Sequence, residues 1–222
     1  MMDSAKIHLS AEEQRLISNT EWILTKHTII KKVYEMFGQI NDMMKNELSS
    51  FDHFFENIQC LNGKITKGEN YGLLPYIILD YPYHFEKNNV FAIRTMFWWG
   101  NFFSITLHLS GEHKIRFINN TSAHFLLLKN NNFFVCVNNE EWQHHFDENN
   151  YKPADKITEM EYKRIIEQPF LKIAKQISLK DWDVAPAFII GGFKEILELL
   201  QINYPDDKKD PSPASPITGS DL

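Results

Sequence analysis

Cysteine is scarce in this chain of 222 residues. Cys60 and Cys136 are the only two, so neither a disulfide framework nor a cysteine-rich zinc site is expected. Cys136 lies in the apolar run Phe-Phe-Val-Cys-Val, which predicts a small buried side chain and disfavours a thiolate. Cysteine chemistry is therefore not expected to be the basis of the function.

Long apolar runs and an excess of basic charge are also lacking. No run approaches the ~20 apolar residues that span a bilayer, and the N-terminus carries no apolar signal region. The net charge is −6 and the isoelectric point is near 5.8, whereas nucleic acids and anionic membranes bind basic surfaces. We therefore expect a cytoplasmic protein with neither a nucleic-acid nor a membrane partner.

Motifs for catalysis and cofactor binding are missing as well. The chain has no G-x-S-x-G elbow and no glycine-rich phosphate loop. His144 and His145 are adjacent, whereas the zinc-peptidase pattern needs two histidines four apart on one helix face. His84, His108 and His124 lie on or beside predicted strands and can converge in space. We predict no cofactor and no metal site, and a histidine-dependent enzyme is the weakest functional hypothesis.

Apolar and aromatic residues are plentiful. Hydrophobic residues make up 43% of the chain and aromatic residues 14%, which is enough for a substantial core. Residues 1–202 are predicted to form a single α+β globular domain. Residues 203–222 contain four prolines and no apolar periodicity, which predicts a disordered, acidic and proline-rich tail.

Helix signals lie at both ends of the predicted domain. The capping boxes are Ser10-Ala-Glu-Glu13 and Thr158-Glu-Met-Glu161, and the longest helical segments are Thr20–Leu48 and Trp182–Leu200. The helix after Thr158 is expected to break at Pro169 and then resume through residues 171–177. Within the last segment, Gly191 and Gly192 predict a kink or a close-packing point.

Between these helices the chain alternates in short runs typical of strands. The runs are Tyr76–Tyr81, Val90–Trp99, Phe102–Leu109, Lys114–Ile118, Ala123–Leu128 and Phe133–Val137, whereas residues 49–72 are expected to form a loop region. Because the breaks are short and turn-forming, we predict an antiparallel β-meander of about six strands. The predicted architecture is N-terminal helices, this meander, and C-terminal helices packed on one sheet face.

The hairpin within residues 91–109 carries one arginine. A two-residue turn at Gly100-Asn101 would place Arg94 opposite Leu107. One face would then carry Ala92, Arg94, Met96, Trp98, Phe103, Ile105, Leu107 and Leu109. This face is the more uniformly apolar one, so we expect it to meet the core.

Arg94 would then be a cation among hydrophobic side chains, where an unpaired guanidinium is strongly unfavourable. Three interpretations remain open at this point. Arg94 forms an internal ion pair, with Asp80 on the neighbouring strand as the first candidate. Alternatively, it extends to solvent at a sheet edge, or its planar fork binds a carboxylate or phosphate ligand.

The other face would combine aromatic residues with a polar column. Its members would be Phe91, Ile93, Thr95, Phe97, Trp99, Phe102, Ser104, Thr106 and His108. The leading hypothesis is a non-catalytic binding or adaptor protein that uses this aromatic-rich face to contact a protein partner or its own copy. The alternative is a small-molecule binding protein in which Arg94 holds an acidic ligand in a curved-sheet pocket. The other ligand contacts would be Thr95, Trp99, Thr106 and His108.

Overall fold

An antiparallel sheet forms the centre of the computed structural model, which describes residues 7–49 and 62–200. Within these ranges the strands are β1 (Lys64–Tyr71), β2 (Leu74–Glu86), β3 (Asn89–Trp98), β4 (Phe102–Ser110), β5 (Phe134–Cys136), β6 (Tyr151–Pro153) and β7 (Phe170–Ser178). Their order across the sheet is β1-β2-β3-β4-β7-β5-β6. The predicted tail, residues 203–222, lies outside the described residues, as does Cys60.

Helices precede, interrupt and follow the sheet. They are α1 (Ala11–Ile17), α2 (Thr20–Leu48), α3 (Gly111–Ala123), α4 (Phe125–Asn130), α5 (Glu159–Ile166) and α6 (Ala185–Leu199), with short 3-10 turns at Ala154–Lys156 and Leu179–Val184. Both predicted capping boxes are present, at the starts of α1 and α5. The α+β class is confirmed, and the described residues contain seven strands where about six were predicted.

Several segment assignments were wrong. Lys114–Ile118 and Ala123–Leu128, predicted as strands, lie within α3 and α4. In α3 the buried side chains are His113, Phe117 and Thr121, so the apolar contacts follow a helical spacing of four residues. Short apolar runs of this kind are compatible with either a strand or a helix, and their packing decides between them.

Three strands, β1, β6 and β7, lie where none was predicted. Residues 171–177 belong to β7 instead of a helix, and β1 occupies part of the predicted loop region. β7 pairs with β4 in a register that places Ile173 beside Leu107. The ladder between β4 and β7 pairs residues that are 60 to 76 positions apart, from Ser110 with Phe170 to Phe102 with Ser178. Tertiary pairing therefore overrides the local helical pattern.

The main core lies between one face of the sheet and the helices. Its helical side chains include Val33, Phe37, Ile40 and Met44 of α2 with Ile189, Phe193 and Ile196 of α6. They pack on Ile77, Leu79, Ile93, Phe97, Phe103, Ile105 and Leu107 of the sheet. Complete burial of side chains of this size contributes roughly 1.5–3 kcal/mol each. The predicted packing of helices on one sheet face is therefore confirmed.

The predicted register of the hairpin was wrong by one residue. The loop between β3 and β4 has three residues, 99–101, with Gly100 at a φ of +71°, so Trp98 pairs with Phe102. Arg94 consequently lies opposite Thr106 instead of Leu107. A shift of one residue moves every side chain of one strand to the other face.

The second face of the sheet is covered by the segment of residues 137–150, which we call the strap. Phe146 of the strap lies against Phe102, Phe134 and Tyr151, with ring centroids 4.6–5.1 Å apart. All nine residues of β4 are buried. The expected exposed aromatic face is therefore absent from the described residues, because helices cover Phe97 and its neighbours while the strap covers Phe102.

The two adjacent glycines of α6 provide a matched test of this packing. A Cβ at Gly192 would lie 2.8 Å from Cγ2 of Ile105, whereas a Cβ at Gly191 would meet nothing within 4 Å. Gly191→Ala should stabilise the fold by about 0.5–1 kcal/mol through helix propensity. Gly192→Ala should destabilise it by about 1 kcal/mol through overpacking. Urea unfolding measures the free energy of unfolding of both variants. Equal changes of that free energy in the same direction would contradict this account of the contact between α6 and β4.

Candidate functional site

Arg94 and Asp80 form a two-pronged ion pair on the strap-covered face. The register of β2 on β3 places them directly opposite each other. Nε of Arg94 donates to Oδ1 of Asp80 at 2.7 Å, and Nη2 donates to Oδ2 at 3.0 Å. The Arg94 side chain keeps 13% of its surface exposed and the Asp80 side chain 5%. The carboxylate thus neutralises the guanidinium from within the sheet while one edge of Arg94 reaches solvent.

The remaining candidate residues divide between the two faces. Thr106 lies opposite Arg94, and His108 follows on the same face of β4. Thr95 lies on the helix-covered face, where its buried hydroxyl has no hydrogen-bond partner among the described residues. Trp99 packs edge-on against Phe97 beside the same helices. The structure therefore separates Thr95 and Trp99 from Arg94, in contrast to the predicted site.

Two histidines connect the sheet to the strap. Nε2 of His108 lies 2.8 Å from Oε1 of Glu141, and Nε2 of His144 lies 3.3 Å from Nη1 of Arg94. Burial lowers the pKa of His108, and the hydrogen bond to Glu141 opposes that shift. Burial together with the charges of Arg94 and Lys172 holds the pKa of His144 well below its usual value. Both rings are therefore neutral at pH 7, so His144 accepts from Arg94 and His108 donates to Glu141.

Lys172 is the most deeply buried charged group of this face, with 1% of its surface exposed. Its register partner on β4 is His108, and its ammonium donates to the backbone carbonyl of Gln143 in the strap. The ammonium also lies 5.4 Å and 5.9 Å from the ring centroids of Tyr151 and Phe170. Burial lowers the pKa of Lys172 to about 8. A carbonyl and two aromatic faces therefore replace the carboxylate that a buried ammonium usually requires.

Tyr71 anchors the strap to the end of β1. Its hydroxyl accepts hydrogen bonds from the backbone N–H groups of His144 and His145, at 2.6 Å and 2.9 Å. The backbone carbonyl of Tyr71 accepts a hydrogen bond from Nε1 of Trp98 at 3.0 Å. These contacts fix the strap backbone at the point where the imidazole of His144 reaches Arg94.

A cleft of about 440 Å³ opens beside Arg94. Its aromatic walls are Phe85 and Trp142, whose ring centroids lie 5.7 Å and 5.8 Å from Cζ of Arg94. The two rings lie 6.3 Å from each other. The exposed edge of the guanidinium is thus framed by two aromatic side chains, one from β2 and one from the strap.

The lining of the cleft carries a small excess of positive charge. The Arg94–Asp80 pair is neutral as a unit, and the other charged groups are Lys64, Lys87 and Glu86. Within residues 7–49 and 62–200, no carboxylate forms an ion pair with Lys64 or Lys87. Both ammonium groups are therefore available to an anion that enters the cleft.

Other candidate residues do not form a common centre. The rings of His84 and His113 lie 5.0 Å apart, whereas Nδ1 of His124 contacts the carbonyl of Asn120 at 2.8 Å. His108 has separate neighbours, so the three predicted histidines do not converge. In the described part of the chain, no group of three or more histidine, cysteine or acidic residues is arranged to hold a metal ion. Burial raises the pKa of the Cys136 thiol.

Sequence reasoning considered His144 only as a metal ligand, and it assigned no role to Glu141 and Trp142 of the strap or to Lys172. The strap residues follow no periodic pattern, and only the fold brings them over β3 and β4. Lys172 had a detectable signal, since in the run Phe-Leu-Lys-Ile-Ala it interrupts an apolar segment as Arg94 does in β3.

Comparison with known proteins adds no assignment, because no family model, curated protein or solved structure matches this chain. None of the helices in the described residues is long and apolar enough to cross a membrane. The site is therefore interpreted from its geometry and chemistry.

Lys172→Met should change how stability depends on pH. The pKa of Lys172 is about 8 in the folded protein and 10.5 ordinarily, so between these values the unfolded chain binds the proton more strongly. The folded wild-type protein therefore carries an unfavourable charge below pH 8, and this penalty disappears as the pH rises. From pH 8 to pH 10 the wild type should gain on the order of 2 kcal/mol relative to Lys172→Met.

Urea unfolding at pH 7, 8, 9 and 10 measures this difference. The exposed Lys180→Met variant is the matched control, and its stability should stay parallel to that of the wild type. Parallel curves for Lys172→Met and the wild type would show that the ammonium is not the source of the penalty.

Proposed function

We propose that this protein binds a small molecule that carries a negatively charged group, in the cleft beside Arg94. The observation that supports the proposal is the position of the guanidinium, which is fixed by Asp80 on one side and borders a cleft of about 440 Å³ on the other. This volume lies within the usual range of ligand sites, roughly 300–1,000 Å³.

Each part of the cleft suits one part of such a ligand. Lys64 and Lys87 are lysines without ion-pair partners among the described residues, and they would bind carboxylate or phosphate oxygens. Phe85 and Trp142 offer faces to a planar apolar group. Because Asp80 already orients Arg94, little side-chain entropy would be lost when the ligand binds.

Binding is a better interpretation than catalysis for this cleft. His108 and His144 are not among its lining residues. The His108 ring is engaged by Glu141 of the strap, and the ring of His144, itself in the strap, is engaged by Arg94. A general base needs access to the proton that it abstracts. The weaker hypothesis of a histidine-dependent enzyme would require the strap, which carries Glu141 and His144, to move and break both contacts.

Benzoate and benzamide are suitable probes, because they share shape but differ in charge. We expect benzoate to bind more tightly in isothermal titration calorimetry. The double variant Lys64→Gln with Lys87→Gln should weaken benzoate binding roughly tenfold, since each exposed charge pair contributes less than about 1 kcal/mol. Lys31→Gln with Lys156→Gln removes two exposed lysines from other surfaces and should leave benzoate affinity unchanged.

Three results would count against this function. Equal affinities for benzoate and benzamide would show that the cleft has no preference for an anion. Equal losses of benzoate affinity in the two double variants would show that the effect comes from the net charge of the protein and not from Lys64 and Lys87. Failure of benzoate, acetate and inorganic phosphate to bind at millimolar concentration would reject the cleft as an anion site.

A further inference from the structure

The N-terminal helices expose an unusual number of large apolar side chains. The exposed fractions are 39% for Leu16, 63% for Ile17, 45% for Trp22 and 40% for Ile23. No residue of α1 is buried, and the first buried residue of α2 is Val33. Residues 11–17 and 20–28, about four turns of helix, therefore carry apolar residues without placing them in the core, which the chain joins at Ile29 and Ile30.

These side chains line a groove of about 410 Å³ between α1, α2 and β1. A monomeric protein rarely leaves a contiguous patch of this kind uncovered. In addition, α1 has seven residues, and an isolated helix of that length is marginal in water. A partner that covers the groove would bury the apolar side chains and stabilise α1 together.

The charges of α1 favour a second copy of this chain as that partner. Its first turn is acidic, with Glu12 and Glu13, and its last turn is basic, with Arg15. Glu12 and Arg15 form an ion pair within the helix at 2.6 Å, but their side chains are 62% and 60% exposed, so this solvated pair can exchange partners. When two such helices lie antiparallel, the acidic turn of each meets the basic turn of the other. The groove itself adds Lys26 and Lys67 against a single Glu69, so its net charge also complements an acidic helix start.

We propose that two copies associate through α1 and the first turns of α2, with the two α1 helices antiparallel about a two-fold axis. Leu16, Ile17, Trp22 and Ile23 of each copy form the apolar centre of the contact. Glu12 of each copy lies near Arg15 of the other. The groove and the Arg94 cleft share no lining residue, although β1 contributes Lys67 and Glu69 to the groove and Lys64 and Thr66 to the cleft. The proposed association does not rest on ligand binding in the cleft.

Sedimentation velocity of the full chain over a micromolar concentration series tests the proposal. We expect the mass to rise from 26.2 kDa towards twice that value. Ile17→Ser with Trp22→Ser should abolish the rise. Ile115→Ser with Leu126→Ser is the matched control, because both residues are exposed large apolar groups on other helices. Circular dichroism of each variant verifies that the fold is kept.

A charge exchange tests the antiparallel arrangement. The Glu12→Arg variant and the Arg15→Glu variant should each associate at least several-fold more weakly than the wild type. Mixing these two variants should restore association, because the basic turn of one chain then meets the acidic turn of the other. If the substitutions weakened association only by breaking the Glu12–Arg15 pair within each helix, mixing the two variants would not restore association.

Several outcomes would overturn the proposal. The first is a protein that stays monomeric at every concentration, and the second is a dimer that persists in the Ile17→Ser and Trp22→Ser double variant. The third is a mixture of the Glu12→Arg and Arg15→Glu variants that associates no more strongly than each variant alone. A chain that remains monomeric and binds phosphatidylcholine vesicles through the same residues would assign the surface to a membrane instead.

Discussion

The register between β3 and β4 is the constraint on which the rest of the structure depends. The three-residue loop 99–101 places Arg94 on the same face as Thr106 and His108. With a two-residue loop, β3 would present Arg94 beside the apolar face of β4 that packs on the helices. A guanidinium enclosed there would lose its hydration without a compensating anion. In the observed register Asp80, Arg94, His108 and Lys172 share one face. The side chain of Lys175 lies on the helix-covered face instead, where it pairs with Glu195 of α6 at 2.7 Å. The side chains packed between the sheet and the helices are otherwise mostly apolar.

The position of Asp80, Arg94, His108 and Lys172 on the second face of the sheet explains why a strap, and not a helix, covers that face. A helix would require an apolar stripe on the sheet, whereas this face carries Asp80, Arg94, His108 and Lys172. An irregular segment can offer carbonyl, carboxylate and imidazole groups at the positions that these residues need. The strap satisfies buried polar groups in this way, and Phe146 supplies apolar anchoring. Its attachment is consequently sensitive to the charge state of the residues below it.

Local sequence patterns were sufficient for the features that depend on local interactions. The capping boxes, the long helix α2 and the alternation of β3 follow from spacing within a single segment. Within that alternation Arg94 stood out as a cation that needs a partner, with Asp80 on the neighbouring strand as the first candidate. Arg94 and Asp80 are in contact in the structure. Loop length, the pairing of β7 with β4 and the path of the strap depend on contacts between distant segments. Glu141 and His144 enter the site only through those contacts, so periodicity within a segment could not reveal them.

Arg94 links the strap and the cleft, and the two cannot respond independently. Its guanidinium is paired to Asp80, bonded to His144 of the strap and framed by Phe85 and Trp142 of the cleft. Trp142 belongs to both features, since it lies in the strap and forms a wall of the cleft. An anion that contacts Arg94 and Trp142 in the cleft would bind more tightly when the strap is attached to the sheet. By thermodynamic linkage, the bound anion would in turn favour attachment of the strap by the same factor.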